Sequence, residues 1–439
     1  MPPCTVSVST ADPTINTAEL RVGMFVHLDL GWMSHPFALS SFRIADAGQI
    51  ATIRSLGLSS VRWSPDKSDG GEDPPSPTRP PPPPMAAPVA AQLPTAPPAA
   101  RAARRDALVV QRAAVALCQR QYAEAAQGWR QASEQLRHDP QGAGQRLGAL
   151  SRALVDKMLG AREASIRVLA ETAGDRASHA LNVGVISLLL GRLCGLSETD
   201  LHDLGTGALS HDIGKLEIPR DLHRLDPEFS SAELAQYREH VAHGVTLGKR
   251  MGLAPGAMLV IAQHHEHSDG TGFPLGVDAN RLSVAARVVA LVNRYDNLCH
   301  PLQAAPVTTP HEALSRLFAQ GQRHYDGTLL SSFVRMMGVY PPGSVVQLTD
   351  DRFALIDSVN SARPLKPRVM VYDPAAGAEP VLLLNLESEP ALGIRRSLPA
   401  AQLPRAALAV LMPPPRVAWF FETADDAAQA QDAERPRPD

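Results

Sequence analysis

Residues 209–219 read LSHDIGKLEIP, a run in which an apolar helix ends on an adjacent histidine and aspartate before a glycine and a lysine. Neighbouring helix residues point about 100° apart, yet an ion at the helix end is within reach of both. An imidazole beside a carboxylate suits Mn, Fe or Zn, whereas Mg and Ca prefer shells made of oxygen alone. A single such pair is more often a helix-ending histidine next to a surface aspartate, so the rest of the chain has to decide. It supplies four more histidines at helix edges: His179 at the head of HALNVGVISLLLGRL, His240 in YREHVAHG, and His264 and His265 in HHEHSDGTGFP at 264–274. Five histidines and Asp212, drawn from four segments, make enough ligands for two metals if the segments converge. Two metals about 3.5–4 Å apart hydrolyse phosphate esters by stabilising both the attacking and the leaving oxygen. Lys215, one helical turn beyond Asp212, adds a positive charge against a phosphate.

The 439 residues suffice for two or three domains, and a hydrophobic content of 44% supports a real core. A formal net charge of −3 gives no global pull toward a nucleic-acid polymer or an anionic membrane, so an anionic substrate must be gripped locally. Cys4, Cys118, Cys194 and Cys299 form no CxxC pair, which argues against a zinc knuckle or a disulfide framework and for a reducing compartment. The start MPPCTVSVSTADPTINT lacks the pattern of a signal peptide, and the most apolar segment, LNVGVISLLLG, is too short to span a bilayer. The expectation is a cytoplasmic protein with no transmembrane segment.

Six regions follow from composition. Residues 1–66 predict a small N-terminal accessory domain, α/β or β-rich, from the alternation in LRVGMFVHLDL and SVRW. Proline density makes 67–100 a disordered linker. Residues 101–170, rich in Ala, Leu, Arg, Gln and Glu, predict two or more amphipathic helices, a packing or dimerising layer that makes a homodimer plausible. Residues 171–345 are helical and hold twelve of the fifteen histidines. Residues 346–424 carry short β-branched runs that predict strands, and 425–439 a disordered tail. The fold class expected is mostly α.

In order and spacing, His179, HDIGK at 211–215, His240 before a glycine, HHEHSDGTGFP, and LVNRYDNL at 291–298 resemble the HD-GYP domain, a branch of the HD metal-phosphohydrolase superfamily. Residues 18–69 resemble the small uncharacterised domain that often precedes it in bacteria. The resemblance implies an all-helical phosphodiesterase that opens cyclic di-GMP to pGpG and GMP. It further implies two or three divalent ions, Fe or Mn, and other cyclic di-GMP signalling proteins as partners. It makes His179, His211, Asp212, His240, His264 and His265 ligands, with Asp212 bridging and Lys215 steadying the scissile phosphate. Asp269, Gly270, Gly272, Phe273 and Pro274 would border the substrate, the glycines permitting close backbone approach.

The chain also departs from the family. Asn293 stands in place of a metal-binding aspartate and offers an amide oxygen without charge; Asp296, one turn on, reads as its substitute or as an exposed or capping residue. Asp175 has the spacing of a third-metal carboxylate in the family, though that residue is usually Glu, and reads more readily as a charge at a helix N-terminus. Phe273 replaces a tyrosine, and CHPLQAAP replaces an Arg-Pro-Tyr stretch, removing a substrate-side arginine. Two further readings stand beside the phosphodiesterase: a weakened module that serves as a cyclic di-GMP or protein-binding scaffold, and a hydrolase of another cyclic dinucleotide.

Overall fold

The computed structural model describes residues 13–28, 41–44, 46–68, 98–161, 163–170, 174–300, 308–374, 381–414, 416–423 and 426. They fall into two compact units, one made of Met1–Ala96 with Leu348–Asp351 and Leu392–Arg396, the other of the remainder.

In the first unit, β1 (Thr14–Asn16), β2 (Phe25–His27), β3 (Ser41–Arg43), α1 (Ala47–Ser55) and β4 (Ser60–Ser64) follow in order. The strands form an antiparallel sheet in the order β1-β4-β2-β3. Ile15, Val26, Ile44, Ile53 and Val61 close its core, as the alternation requires.

In the second unit, α2 (Pro98–Gln135) and α3 (Pro140–Gly160) lead to β5 (Ala164–Ala170). The helical body follows: α4 (Arg176–Leu193), α5 (Glu198–Ser210), α6 (Ser231–Arg250), α7 (Pro255–Gln263), α8 (Val284–Cys299), α9 (Pro310–Gly321) and α10 (Gly327–Met337). The chain ends with β6 (Val345–Leu348), β7 (Phe353–Asn360), β8 (Arg368–Tyr372), β9 (Val381–Asn385), α11 (Arg405–Leu411) and β11 (Val417–Thr423), while β10 (Ile394–Ser397) falls mostly in the first unit. The fold is mostly α, as expected. Helix α4 is apolar all round and is the central helix, buried from Ala177 to Gly191 except at His179. The Trp129 indole of α2 donates to the Leu209 carbonyl at 2.7 Å and ties α2 to the last turn of α5.

The expected breaks near 170 and 345 do not mark separate bodies. Residues 164–170, expected as helix, form strand β5, because Ala164–Ala170 pairs antiparallel along its whole length with β11 and in part with β7. Such pairing is non-local and leaves no mark in the helical spacing of the preceding segment. A buried ionic cluster fastens these strands. Arg167 of β5 reaches both oxygens of Asp357 on β7, at 3.0 and 2.8 Å, and its Nε donates to Glu422 of β11 at 3.0 Å. Gln111 of α2 completes the cluster by donating to Asp357 at 2.7 Å. Most of the proline-rich segment, residues 69–97, lies outside the described residues. So does the expected tail, apart from Asp426, which is buried and paired with Lys157 at 3.0 Å. Among the described residues no helix is long and apolar enough to cross a membrane.

Candidate metal centre

Helix α5 ends at His211, and the chain tightens into a 3₁₀ turn at Ile213–Glu217. The turn lies against α6 so closely that a Cβ on Gly214 would stand 1.9 Å from the His240 carbonyl oxygen. Only glycine permits that approach. Helix α6, set by a capping box of Ser230 and Glu233, brings in His240; α7 ends at His264 and His265; α4 carries His179 in its first turn.

These histidines meet around Asp212. One carboxylate oxygen, Oδ2, lies 3.5 Å from Nε2 of His179 and of His211; the other, Oδ1, lies 3.6 Å from Nε2 of His240 and of His264. The outer nitrogens are pinned. Nδ1 of His211, His240 and His264 donates to the carbonyls of Ala208, Tyr237 and Ile261 at 2.7, 2.5 and 2.8 Å. Those carbonyls accept hydrogen bonds only, so the inward Nε2 atoms carry lone pairs. His240 and His264 thus face each other 3.3 Å apart, nitrogen to nitrogen, an arrangement that invites a cation. Oδ1 of Asp212 is buried and accepts no hydrogen bond. The donor set, imidazole nitrogens around a shared carboxylate, therefore fits divalent metal ions, and two groups lie close enough together to hold them: Asp212 with His240, His264 and His265, and His179 with His211 and Asp212.

The charges agree with that fit at His211, His240 and His265, and His179 differs. Burial drives His211 and His240 down to about 3, and holds His265 well below its ordinary value. Burial opposes a charge on His179 as well, but the Asp212 and Asp296 carboxylates outweigh it and raise it to about 9. Burial would also neutralise Asp212; Lys215 and His211 outweigh it and keep the carboxyl well below the usual range. Lys215 Nζ lies 2.6 Å from Asp212 and 5.5 Å from the Tyr237 ring centre.

The other expected residues fare differently. Asp296 is buried, not exposed: it accepts from His179 Nδ1 at 2.6 Å and from Asn182 at 2.9 Å, so it orients a histidine. The Asn293 amide oxygen accepts from Asn297 at 2.7 Å. Asp175 is the N-cap of α4, with Oδ1 taken by Ser178 and Oδ2 by Arg130 at 2.7 Å; both oxygens are engaged, which accounts for it without a metal.

The loop after His265 also differs from expectation. A Cβ on Gly272 would stand 2.4 Å from Glu266 Cα, so that glycine serves packing of the loop on its own stem. Glu266 accepts from Leu275 N and Val277 N at 2.7 and 3.1 Å and staples the loop shut. Asp269 accepts from Thr271 at 2.6 Å and faces His324. Phe273 stacks on His265 with ring centres 4.5 Å apart. A cavity of about 420 Å³ opens instead on the His179 side, and Asp269, Gly270, Gly272, Phe273 and Pro274 do not line it. Its wall includes Asp212, Lys215 and four arginines, Arg176, Arg220, Arg224 and Arg416, which the sequence reading missed. Arg416 comes from the C-terminal extension, and no local motif signals its arrival.

Comparison with known proteins agrees with this geometry. Residues 156–329 match the HD domain, and residues 13–146 match a domain of unknown function, DUF3391. The chain is 27% identical over 204 residues to the cyclic di-GMP phosphodiesterase PA4108 of Pseudomonas aeruginosa, covering 46% of this chain and 49% of that protein. It is 21% identical over 191 residues to the cyclic di-GMP phosphodiesterase PdeB of Borreliella burgdorferi, covering 44% and 50%. It is also 26% identical over 155 residues to the 3'3'-cGAMP-specific phosphodiesterase 2 of Vibrio cholerae, covering 35% and 30%. The chain spans about half the length, or less, of these curated relatives. It carries an HD domain preceded by a DUF3391 domain.

Proposed function

We propose that the HD domain is a metal-dependent phosphodiesterase that hydrolyses cyclic di-GMP to pGpG and GMP. His179, His211, Asp212, His240, His264 and His265 would hold two iron or manganese ions. The observation that carries this is Asp212, whose two oxygens each face a separate pair of imidazole nitrogens, with Oδ1 accepting no hydrogen bond. When bound, the ions supply Lewis acidity and an activated water. The chain's own residues do the rest. Backbone carbonyls and Asp296 hold the imidazoles in the ligating orientation, as outer hydrogen-bond partners of metal sites do. Lys215 reaches both Asp212 and the cavity, placed to meet the charge that develops on phosphate. Phe273 and Tyr237 cover His265 and keep that side of the centre apolar. Two relatives named as cyclic di-GMP phosphodiesterases support the substrate.

Asn293 favours a second reading, a scaffold that binds cyclic di-GMP without cleaving it, since an amide brings no negative charge to the centre. Elemental analysis of anaerobically purified protein, with chromatography of cyclic di-GMP incubated with the same sample, separates the two. Two Fe or Mn per chain with pGpG or GMP appearing is the expected result. One metal or none, with the dinucleotide bound and intact, would establish the scaffold.

A further inference from the structure

Four arginines reach one cavity from separate parts of the chain. Arg176 stands at the start of α4, Arg220 and Arg224 follow the HDIGK turn, and Arg416 immediately precedes β11. The carboxylates on the same wall are already engaged: Asp175 with Arg130, Asp212 with Lys215, Asp296 with His179 and His300. Among the described residues, none of the four guanidinium groups has an ion-pair or hydrogen-bond partner. The guanidinium of Arg416 lies over Gly174, where a side chain would run into it. Burial and then like charge press on two of them. Arg176 is held below the usual guanidinium range by burial and by Arg220, Arg224 by burial and by Arg416. Cations half withdrawn from water and set beside one another are costly until an anion fills the space between them.

The cavity therefore offers an anion two places: the Asp212 and Lys215 side, where the histidine cluster lies, and the arginine side. We propose that Arg176, Arg220, Arg224 and Arg416 form a second phosphate seat, which holds the phosphodiester of the cyclic dinucleotide that is not being cleaved. The inference rests on the cyclic di-GMP reading above. The planar guanidinium fork suits two-point contact with phosphate, and the C-terminal extension supplies an arginine to a chain that has none in CHPLQAAP after α8. A substrate with one phosphodiester has no use for this seat.

The test compares steady-state hydrolysis of cyclic di-GMP and of bis(p-nitrophenyl) phosphate by metal-loaded full-length protein, as wild type, Arg416→Gln and Arg416→Lys. Losing a charge-assisted contact should raise KM for cyclic di-GMP about tenfold or more in Arg416→Gln, with kcat within about threefold. KM for bis(p-nitrophenyl) phosphate should stay within about twofold, and Arg416→Lys should recover part of the loss, because lysine keeps the charge without the fork. An unchanged KM for cyclic di-GMP overturns the inference, and so does an equal rise for both substrates. If thermal melting shows Arg416→Gln to be unfolded, Arg224→Gln carries the same comparison. Failure of the underlying reading looks different: the wild type then cleaves bis(p-nitrophenyl) phosphate and leaves cyclic di-GMP intact, which removes the second seat with it.

Discussion

The second unit buries two charged clusters, and they are built on opposite terms. Around Arg167, the guanidinium donates to two carboxylates, Gln111 donates to one of the same carboxylates, and each of these contacts is a direct hydrogen bond. Around Asp212, a carboxylate lies at 3.5–3.6 Å from four imidazole nitrogens, too far for hydrogen bonds, with one oxygen left unsatisfied beside an open cavity. The first cluster is complete as it stands and acts as a fastener between β5, β7 and β11. The second has a donor set that suits added cations. A protein accepts an incomplete buried cluster where it has chemistry to perform, so satisfaction, more than burial, distinguishes the site from the scaffold.

The sharpest way to break this contrast is to empty each cluster in turn. Asp212→Ala should cut hydrolysis by at least about 10⁴-fold and release at least one metal, while the melting temperature of the metal-free protein stays at or above wild type. A metal-free mutant that melts well below metal-free wild type would show Asp212 to be part of the scaffold after all. Arg167→Met should do the reverse, lowering unfolding stability by about 3–5 kcal/mol because two carboxylates remain buried without a partner. Replacing Arg167, Asp357 and Glu422 together with apolar residues should return most of that loss, as denaturant titration would reveal. Asp296→Asn should weaken metal affinity by about 10–100-fold, read by competition with a chelator, with little change in folding. The smallest effect belongs to Phe273→Leu, which keeps the apolar cover over His265 and loses the stacking. A shift of about 0.5–1.5 kcal/mol in stability is expected, visible as a modest change in melting temperature.

Much of the cluster around Asp212 was legible because each of its residues sits in a local pattern. His211 and Asp212 mark a helix end, Gly214 and Lys215 the tight turn after it, and His264 and His265 the end of another helix. Residues whose role depends on distant partners were not. Asp296 read as exposed or capping because its partners, His179 and Asn182, lie on α4. Arg416 is separated from the rest of the cavity by the whole C-terminal region, and only the pairing of β11 with β5 carries it there. The same pairing hid β5 inside what read as helix. Conversely, the loop glycines were legible as glycines but not by purpose: Gly272 packs the loop on its stem, and the family pattern offered only the substrate as a reason.

The β5–β11 pairing sets a limit on modularity. Strand β5 precedes the first histidine helix and β11 follows all the rest, so the HD region is enclosed by a clasp whose halves lie at its two ends. A fragment ending at residue 329, where the HD match stops, keeps Arg167 but loses Asp357, Glu422 and both neighbours of β5. It would carry a bare strand edge and a stranded cation into solution, and aggregate. Evolutionary exchange of this domain would have to move the clasp whole, from α2 to β11.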